Sequence, residues 1–270
     1  MNLIEKLVKT LMATNTFQGV TSSPEENILI EVKNLSKYFE GLKAVNQVSF
    51  SLRAGELVGV IGPNGAGKTT LFHLLTGFLK PTEGEVFFEG KNITGWPAFK
   101  ISKLGIARTF QLVRPFRFLN ALENAMVPHI PDNLLAKSST LRNKATWSLI
   151  TVDLADKKNY PAFILPHGDL KRLDIARAFA VQPRILLLDE PFSGLSFEEA
   201  FRIQRLIRDA HEKGMAIVIV EHKLKILMKL VERVLVLHQG RLIGEGTPKE
   251  IANNQEVISA YLGTEAKEYV

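Results

Sequence analysis

The sequence predicts an α/β fold built around parallel strands. The first observation is the apolar run Leu57–Ile61, which leads directly into the glycine-rich segment 62–69 and then into a helical pattern of apolar residues. Two further apolar runs, 185–188 and 215–220, each end in charged or polar side chains. Buried parallel strands have this continuous apolar character, and strands that alternate with helices are the units of α/β sheets.

The composition is that of a folded globular protein. Of the 270 residues, 46% are hydrophobic and 23% are charged, which excludes disorder for most of the chain. No apolar run approaches the roughly 18–20 residues of a membrane-spanning helix. The sequence has no cysteine, which excludes disulfides, thiolate metal sites and cysteine nucleophiles. We therefore expect a soluble, cytoplasmic protein.

The amino-terminal segment 1–27 differs from the rest of the chain. Apolar residues recur at helical spacing between Leu3 and Met12, and a polar linker follows. The segment lacks the unbroken apolar stretch and the cleavage site of a signal peptide. Two interpretations stay open, a helix docked on its own domain and an anchor at a membrane surface, and we assign the segment no chemistry.

The segment from Gly62 to Thr69 matches the phosphate-binding loop pattern G-x-x-x-x-G-K-[ST], between a strand and a helix. Glycines let the backbone wrap closely around phosphate with its N–H groups pointing inward, and the helix N-terminus adds partial positive charge. Lys68 would neutralise the β- and γ-phosphates, and the Thr69 hydroxyl would bind Mg²⁺. The predicted phosphate-binding residues are Gly62, Pro63, Asn64, Gly65, Ala66, Gly67, Lys68, Thr69 and Thr70.

Two carboxylates, Asp189 and Glu190, follow the apolar run 185–188. Ligands of open α/β sheets bind at the carboxyl ends of the strands, so the pair would lie beside the phosphate-binding loop. We predict that Asp189 holds Mg²⁺ directly or through water, and that Glu190 orients and deprotonates the attacking water. The alternative is a solvated strand end, and the phosphate-binding loop argues against it.

Three further features carry little weight alone. Gln111 follows an apolar segment, His222 follows the run 215–220, and the segment LPHGD at 165–169 precedes a helical run whose N-terminus would face a phosphate. A histidine at a strand end is more often only a satisfied polar group.

The stretch from Lys91 to Asn120 contains six basic residues and no acid. It is interpreted either as a solvated basic face or as a surface for anionic lipid or for the cytosolic loops of a membrane partner. The basic residues are Lys91, Lys100, Lys103, Arg108, Arg114 and Arg117.

In this order and spacing, the motifs resemble the ATP-binding cassette (ABC) family over about residues 28–262. The resemblance implies that Gln111 is the glutamine of the family's Q-loop and that His222 is its switch histidine, which contacts the γ-phosphate. Phe39 matches the aromatic residue that stacks on adenine, with Tyr38 as the alternative. The implied ligands are ATP and Mg²⁺, the implied catalytic residues Glu190, His222 and Gln111, and the implied metal-binding residues Thr69, Gln111 and Asp189.

Within that family, the segments GIARTFQ, LENAMV and GEGTPKEI look like the ATP-binding subunits of branched-chain amino-acid importers. The resemblance implies an ATPase that powers import of branched-chain or related amino acids. The main alternative is an ABC ATPase of another transporter, such as one for lipopolysaccharide export. A soluble cassette protein acting on DNA or ribosomes is less favoured, because such proteins usually carry two cassettes or long coiled-coil insertions.

The signature segment of the family usually reads LSGGQ and here reads LPHGD. Pro166 removes a serine hydroxyl that would bind phosphate. Asp169 would repel the γ-phosphate of a facing subunit unless it turns outward to cap its own helix, and Lys171 and Arg172 would offset its charge. Gly168, which allows close backbone approach, remains, so we expect an altered signature that still works.

The resemblance also implies an architecture. A RecA-like core sheet with an antiparallel β subdomain would hold residues 28–111 and about 178–262, and a helical subdomain would hold 112–177. The alternating segment 48–52 would be a half-exposed antiparallel strand. Residues 263–270 would be a tail.

The implied partners are a second ABC ATPase subunit, identical or different, and transmembrane permease subunits. Two cassettes would pack head to tail with two ATP molecules between them, each phosphate-binding loop facing the Gly168 segment of the other. The permease subunits would dock near Gln111, and an extracytoplasmic solute-binding protein would act indirectly. We expect no nucleic-acid partner and a peripheral position on the inner face of the cell membrane.

Overall fold

The computed structural model describes residues 27–129 and 138–265. The predicted amino-terminal helix lies outside the described residues, as do residues 266–270 of the predicted tail. The described chain contains two sheets, one antiparallel and one mainly parallel. Their strands are β1 (Ile28–Phe39), β2 (Leu42–Arg53), β3 (Leu57–Ile61), β4 (Glu83–Phe88), β5 (Lys91–Asn92), β6 (Ile106–Arg108), β7 (Ile185–Asp189), β8 (Ala216–Val220), β9 (Arg233–His238) and β10 (Arg241–Gly246).

The antiparallel sheet has the strand order β2-β1-β4-β5. Its long hairpin, β1 to β2, turns through Glu40 and Gly41, which have positive φ angles of 42° and 96°. Two-residue hairpin turns favour positive φ because it matches the twist of the strands. In β2, buried residues alternate with more exposed ones over 48–52, as the sequence predicts for a half-exposed antiparallel strand.

The second sheet has the strand order β10-β9-β3-β8-β7-β6. Strand β3 pairs in parallel with both β8 and β9, and β7 pairs in parallel with β8 and β6. Only the edge strand β10 runs antiparallel to its neighbour. Because β3, β7 and β8 are parallel, the segments that follow them meet at one edge of the sheet, where ligands of α/β folds bind.

Alternate residues of β3 contribute to two different hydrophobic cores. Val58 and Val60 pack with the antiparallel sheet and the helix that follows β3. Leu57 and Ile61 pack on the opposite face with helices from residue 121 onward. Since side chains of a strand alternate between its faces, this strand is fixed from both sides.

The described chain contains nine α-helices. Three of them lie between β6 and β7 in the sequence and pack against one another as a helical layer. The residues at its centre include Leu149, Leu154 and Leu173, all fully buried. No helix of the described ranges is long and apolar enough to cross a bilayer. The helices are α1 (Lys68–Leu75), α2 (Ala98–Lys103), α3 (Ala121–Met126), α4 (Ser138–Thr151), α5 (His167–Ala180), α6 (Phe197–Glu212), α7 (Leu224–Leu227), α8 (Pro248–Ala252) and α9 (Gln255–Glu265).

Candidate active site

The loop after β3 contains two glycines, Gly62 and Gly67, whose surroundings leave no room for a Cβ. Gly67 precedes α1 with a φ of +102°, and a Cβ there would overlap the carbonyl oxygen of Ala44. A Cβ on Gly62 would overlap the carbonyl oxygen of Leu237. No side chain caps the N-terminus of α1, so its first N–H groups are available to an anion.

Lys68 folds back on this loop. Its Nζ donates to the carbonyl oxygens of Gly62 at 2.6 Å and Pro63 at 2.9 Å. Burial lowers the pKa of Lys68, and the carboxylates of Glu190 and Asp189 act against that change. The neighbouring Thr69 is exposed at the start of α1. The loop therefore presents a cation, backbone donors and a hydroxyl together.

Asp189 forms a buried ion pair with Arg108. Arg108 Nη2 donates to Asp189 Oδ2 at 2.7 Å, and the two side chains are only 4% and 2% exposed. The guanidinium also lies over the rings of Phe72 and Phe110. The prediction of a basic surface is wrong for Arg108, because β6 pairs with β7 and so brings this residue beside Asp189.

The second carboxylate oxygen of Asp189 remains available. Oδ1 is buried and has no hydrogen-bond partner among the described residues. A buried charged oxygen without a partner is costly. Asp189 is therefore suited to hold a cation or a water at the carboxyl edge of the sheet.

Glu190, Gln111 and His222 meet, although they follow three different strands. Gln111 Nε2 donates to Glu190 Oε2 at 2.9 Å, and His222 Nε2 lies 3.0 Å from Glu190 Oε1. Glu190 has a φ of +48°, a conformation that is uncommon for residues other than glycine. The carboxylate is therefore held between the other two predicted catalytic side chains.

Glu221 is a residue of this edge that the sequence analysis missed. It is buried, and its carboxylate accepts hydrogen bonds from the backbone N–H groups of His222 at 2.7 Å and Phe192 at 3.2 Å. Burial raises the pKa of Glu221, and these hydrogen bonds act against the rise. Glu221 directly follows β8, as Glu190 directly follows β7, so the same sequence pattern could have identified it. Glu221 fixes the segments that carry both catalytic candidates.

Phe39 and Tyr38 have different surroundings at the end of β1. Tyr38 donates its hydroxyl to Glu83 Oε2 at 3.2 Å, and Lys43 lies over its ring. The Phe39 side chain is 42% exposed, with Lys37 Nζ 5.2 Å from its ring centre. Phe39 is therefore the more open of the two rings, on the hairpin whose second strand packs against the phosphate-binding loop.

Asp169 turns into its own helical layer. It is buried and accepts hydrogen bonds from Lys157 Nζ and Arg172 Nη2, both at 2.5 Å. Although burial favours the neutral acid, these bonds hold the pKa of Asp169 below its ordinary value. Arg172 offsets the charge of Asp169, as expected from the sequence, and Lys157 adds a second contact that was not expected. Lys171, expected to offset its charge, contacts other residues.

The start of α5 lies against the segment after β7. Gly168 is covered by α6, since a Cβ on it would overlap the Glu199 carboxylate. His167 Nε2 lies 3.4 Å from the carbonyl oxygen of Ser193. The signature segment of the sequence therefore contacts the segment after β7 within the same chain.

Comparison with known families identifies the fold. The family model for ABC transporters matches residues 45–193, and a model described as a branched-chain amino acid ATP-binding cassette transporter matches residues 241–267. The high-affinity branched-chain amino acid transport ATP-binding protein LivG of Salmonella typhimurium is 41% identical over 250 residues, which cover 87% of this chain and 98% of LivG.

Solved structures agree with these matches. An ATP-binding cassette of an ABC transporter in its ADP conformation has a TM-score of 0.80 at 30% identity, covering 87% of this chain and 99% of that one. A dimeric cassette bound to ADP and Pi has a TM-score of 0.74 at 28% identity, covering 82% and 99%. The predicted fold class, with its phosphate-binding loop on an α/β core, is confirmed. The chain belongs to the ABC transporter family of ATP-binding proteins.

Proposed function

We propose that this chain hydrolyses ATP to power the import of branched-chain or related amino acids through separate membrane subunits. The observation that carries the hydrolytic role is the carboxylate of Glu190, held between Gln111 and His222 and within electrostatic range of Lys68. The amino-acid class is supported by segment 241–267, which matches the family model of branched-chain transporters, and by the likeness to LivG.

The nucleotide would lie with its phosphates in the loop 62–69 and its adenine on the ring of Phe39. Lys68 would then exchange its two loop carbonyl acceptors for phosphate oxygens, at little net cost in hydrogen bonds. Backbone N–H groups at the start of α1 supply the remaining donors. Thr70, partly exposed in the first turn of the same helix, belongs to this set.

Mg²⁺ fits the donors at the strand edge. Asp189 Oδ1 is buried without a partner in the described chain, and oxygen ligands of this kind are those that Mg²⁺ prefers. Asp189, Thr69 and Gln111 would hold the ion. When bound, it neutralises negative charge on the phosphates.

Glu190 would orient and deprotonate the water that attacks the γ-phosphate, while Lys68 and His222 stabilise the charge that develops on it. Both oxygens of Glu190 are already engaged, one with Gln111 and one with His222. The attacking water must therefore share or replace one of these contacts. Gln111 begins the stretch of chain that leads from β6 to the helical layer. A movement of that layer would therefore reach Glu190 through Gln111 and change the rate of hydrolysis.

A second cassette, identical or different, would complete the site by placing its Gly168 segment against the nucleotide. In this chain Asp169 is neutralised by Lys157 and Arg172, so its charge does not oppose a phosphate there. That supports an altered signature segment that still works.

A cavity of about 490 Å³ supports docking of a membrane subunit near Gln111. The rings of Phe78 and Phe99 and the guanidinium of Arg114 are exposed at this cavity. A cytosolic helix with an apolar face and a carboxylate would pack on the two rings and pair with Arg114. Docking there would hold the chain at the cytoplasmic face of the membrane. The aromatic and arginine side chains that line the cavity are Phe78, Phe99, Phe110, Arg108, Arg114 and Arg177.

Purification of the tagged chain from detergent-solubilised native membranes tests the proposal, with mass spectrometry of everything that co-purifies. We expect to recover polytopic subunits and a second cassette. We also expect an ATPase activity that rises when a branched-chain amino acid and its binding protein are added. Recovery of lipopolysaccharide-export components would instead favour the alternative transporter. Recovery of ribosomal or DNA-bound proteins alone would overturn the transport role.

A further inference from the structure

Helix α5 reaches the catalytic residues through one buried lysine. Lys171, in the second turn of α5, is 4% exposed. Its Nζ donates to the backbone carbonyl oxygens of Gln111 at 2.9 Å and Glu190 at 3.1 Å. One ammonium thus joins the helix that begins at the signature segment to the segments that follow β6 and β7.

The same helix binds the segment after β6 through an opposite charge. Asp174 lies one turn beyond Lys171 and accepts a hydrogen bond from the backbone N–H of Phe110 at 3.3 Å. A cation and an anion of α5 therefore hold the adjacent residues Phe110 and Gln111. Burial lowers the pKa of Lys171 and raises that of Asp174, which marks both charges as costly to bury. Apolar residues would pack here without that cost.

The contact to Glu190 acts on a backbone that is held in an uncommon conformation. Glu190 has a φ of +48°. Its N–H donates to the carbonyl oxygen of Val220 at 2.9 Å, and its own carbonyl accepts from Lys171 and from the N–H of Ser193 at 3.2 Å. These bonds fix both peptide groups of Glu190 and so set the direction in which its carboxylate projects.

We propose that Lys171 is a positioning residue for ATP hydrolysis. It sets the backbones of Gln111 and Glu190 relative to each other, so that the two side chains meet, and it ties both to α5. A displacement of α5 therefore moves the catalytic carboxylate together with its glutamine partner. The proposal rests on the catalytic role of Glu190 given above.

The test compares Lys171→Met with Lys171→Arg in the full chain. The control for loss of a positive charge is Lys213→Met, because Lys213 is an exposed lysine that follows α6. We expect Lys171→Met to lower kcat roughly 10- to 100-fold. KM and the Kd of a fluorescent ATP analogue should stay within about twofold, because Lys171 does not contact the phosphate-binding loop. Lys171→Arg should recover much of kcat.

A double-variant cycle separates positioning from a general structural role. If Lys171 acts through Glu190, Lys171→Met should cause little further loss in single-turnover rate when Glu190 is already Gln. Full additivity of the two losses would overturn the proposal, as would an unchanged kcat in Lys171→Met. Should Lys171→Met not fold, Lys171→Gln, which keeps one donor, gives the same comparison.

These outcomes distinguish failure of the catalytic role of Glu190 from failure of the positioning role of Lys171. Wild-type turnover in Glu190→Gln would overturn the proposed catalytic role itself. Loss of turnover in Glu190→Gln, combined with additive losses in the cycle, would overturn only the role of Lys171.

Discussion

Replacement of Arg108 by methionine tests whether the buried ion pair with Asp189 contributes to the free energy of unfolding. The substitution keeps much of the apolar volume between Phe72 and Phe110 but leaves the Asp189 carboxylate buried without its cation. Breaking a buried pair by removing one partner costs roughly 3–5 kcal/mol. Loss of the two aromatic contacts adds about 1 kcal/mol, while removal of the two unpartnered nitrogens of Arg108 returns about 1–2 kcal/mol.

We therefore expect Arg108→Met to lower the free energy of unfolding by about 3 kcal/mol, which corresponds to a fall in Tm of roughly 6–12 °C for a chain of this size. Urea unfolding in the absence of nucleotide measures the first quantity and a thermal melt the second. Adding Asp189→Asn to Arg108→Met should restore part of the loss, because the unpaired charge is gone.

The matched control is Arg184→Met. Arg184 pairs with Glu89 at 2.5 Å, and both side chains are 44% exposed, so its loss should cost no more than about 1 kcal/mol. A loss for Arg108→Met no greater than that of the control would contradict this prediction, since it would mean that Asp189 does not depend on a buried cation.

Three further outcomes are expected. Glu190→Gln should still bind ATP and support pairing of cassettes but hydrolyse it about 10²- to 10³-fold more slowly; turnover close to wild type contradicts the base assignment. Phe39→Ala should raise the Kd for ATP roughly tenfold through loss of stacking, whereas Tyr38→Ala should leave it nearly unchanged, and the reverse result would exchange their roles. Asp169→Asn should destabilise the chain at pH 7 in urea unfolding. Because the pKa of Asp169 is lowered on folding, that deficit should shrink as the pH falls below about 4; a deficit independent of pH would exclude the ionic contacts as its cause.

The phosphate-binding loop and the acidic strand end were predictable because their patterns are local in sequence. The loop needs glycines and a lysine in one short segment, and Asp189 needs only to follow an apolar run. Arg108 was misjudged because its partner lies 81 residues away. Sequence alone identifies a basic residue, whereas the pairing of β6 with β7 decides whether it is exposed.

The contacts of α5 were unpredictable for the same physical reason. Lys171 and its acceptor Gln111 are 60 residues apart. Asp169 was expected to face a phosphate because the apolar pattern predicts the helix around it. Lys157, which neutralises Asp169, comes from a short turn with no helical pattern of its own, so this contact could not be predicted. The charges on a helix can be counted from the sequence, but their partners are determined by the three-dimensional packing.

The division of β3 between two cores bears on how the chain melts. Since Val58 and Val60 belong to one core and Leu57 and Ile61 to the other, disruption of either core frees the strand that carries the phosphate-binding loop. Nucleotide bound there stabilises both cores together through mass action. Destabilising substitutions far from the loop, in either core, will therefore appear as earlier loss of bound nucleotide on heating, even where the affinity at low temperature is unchanged.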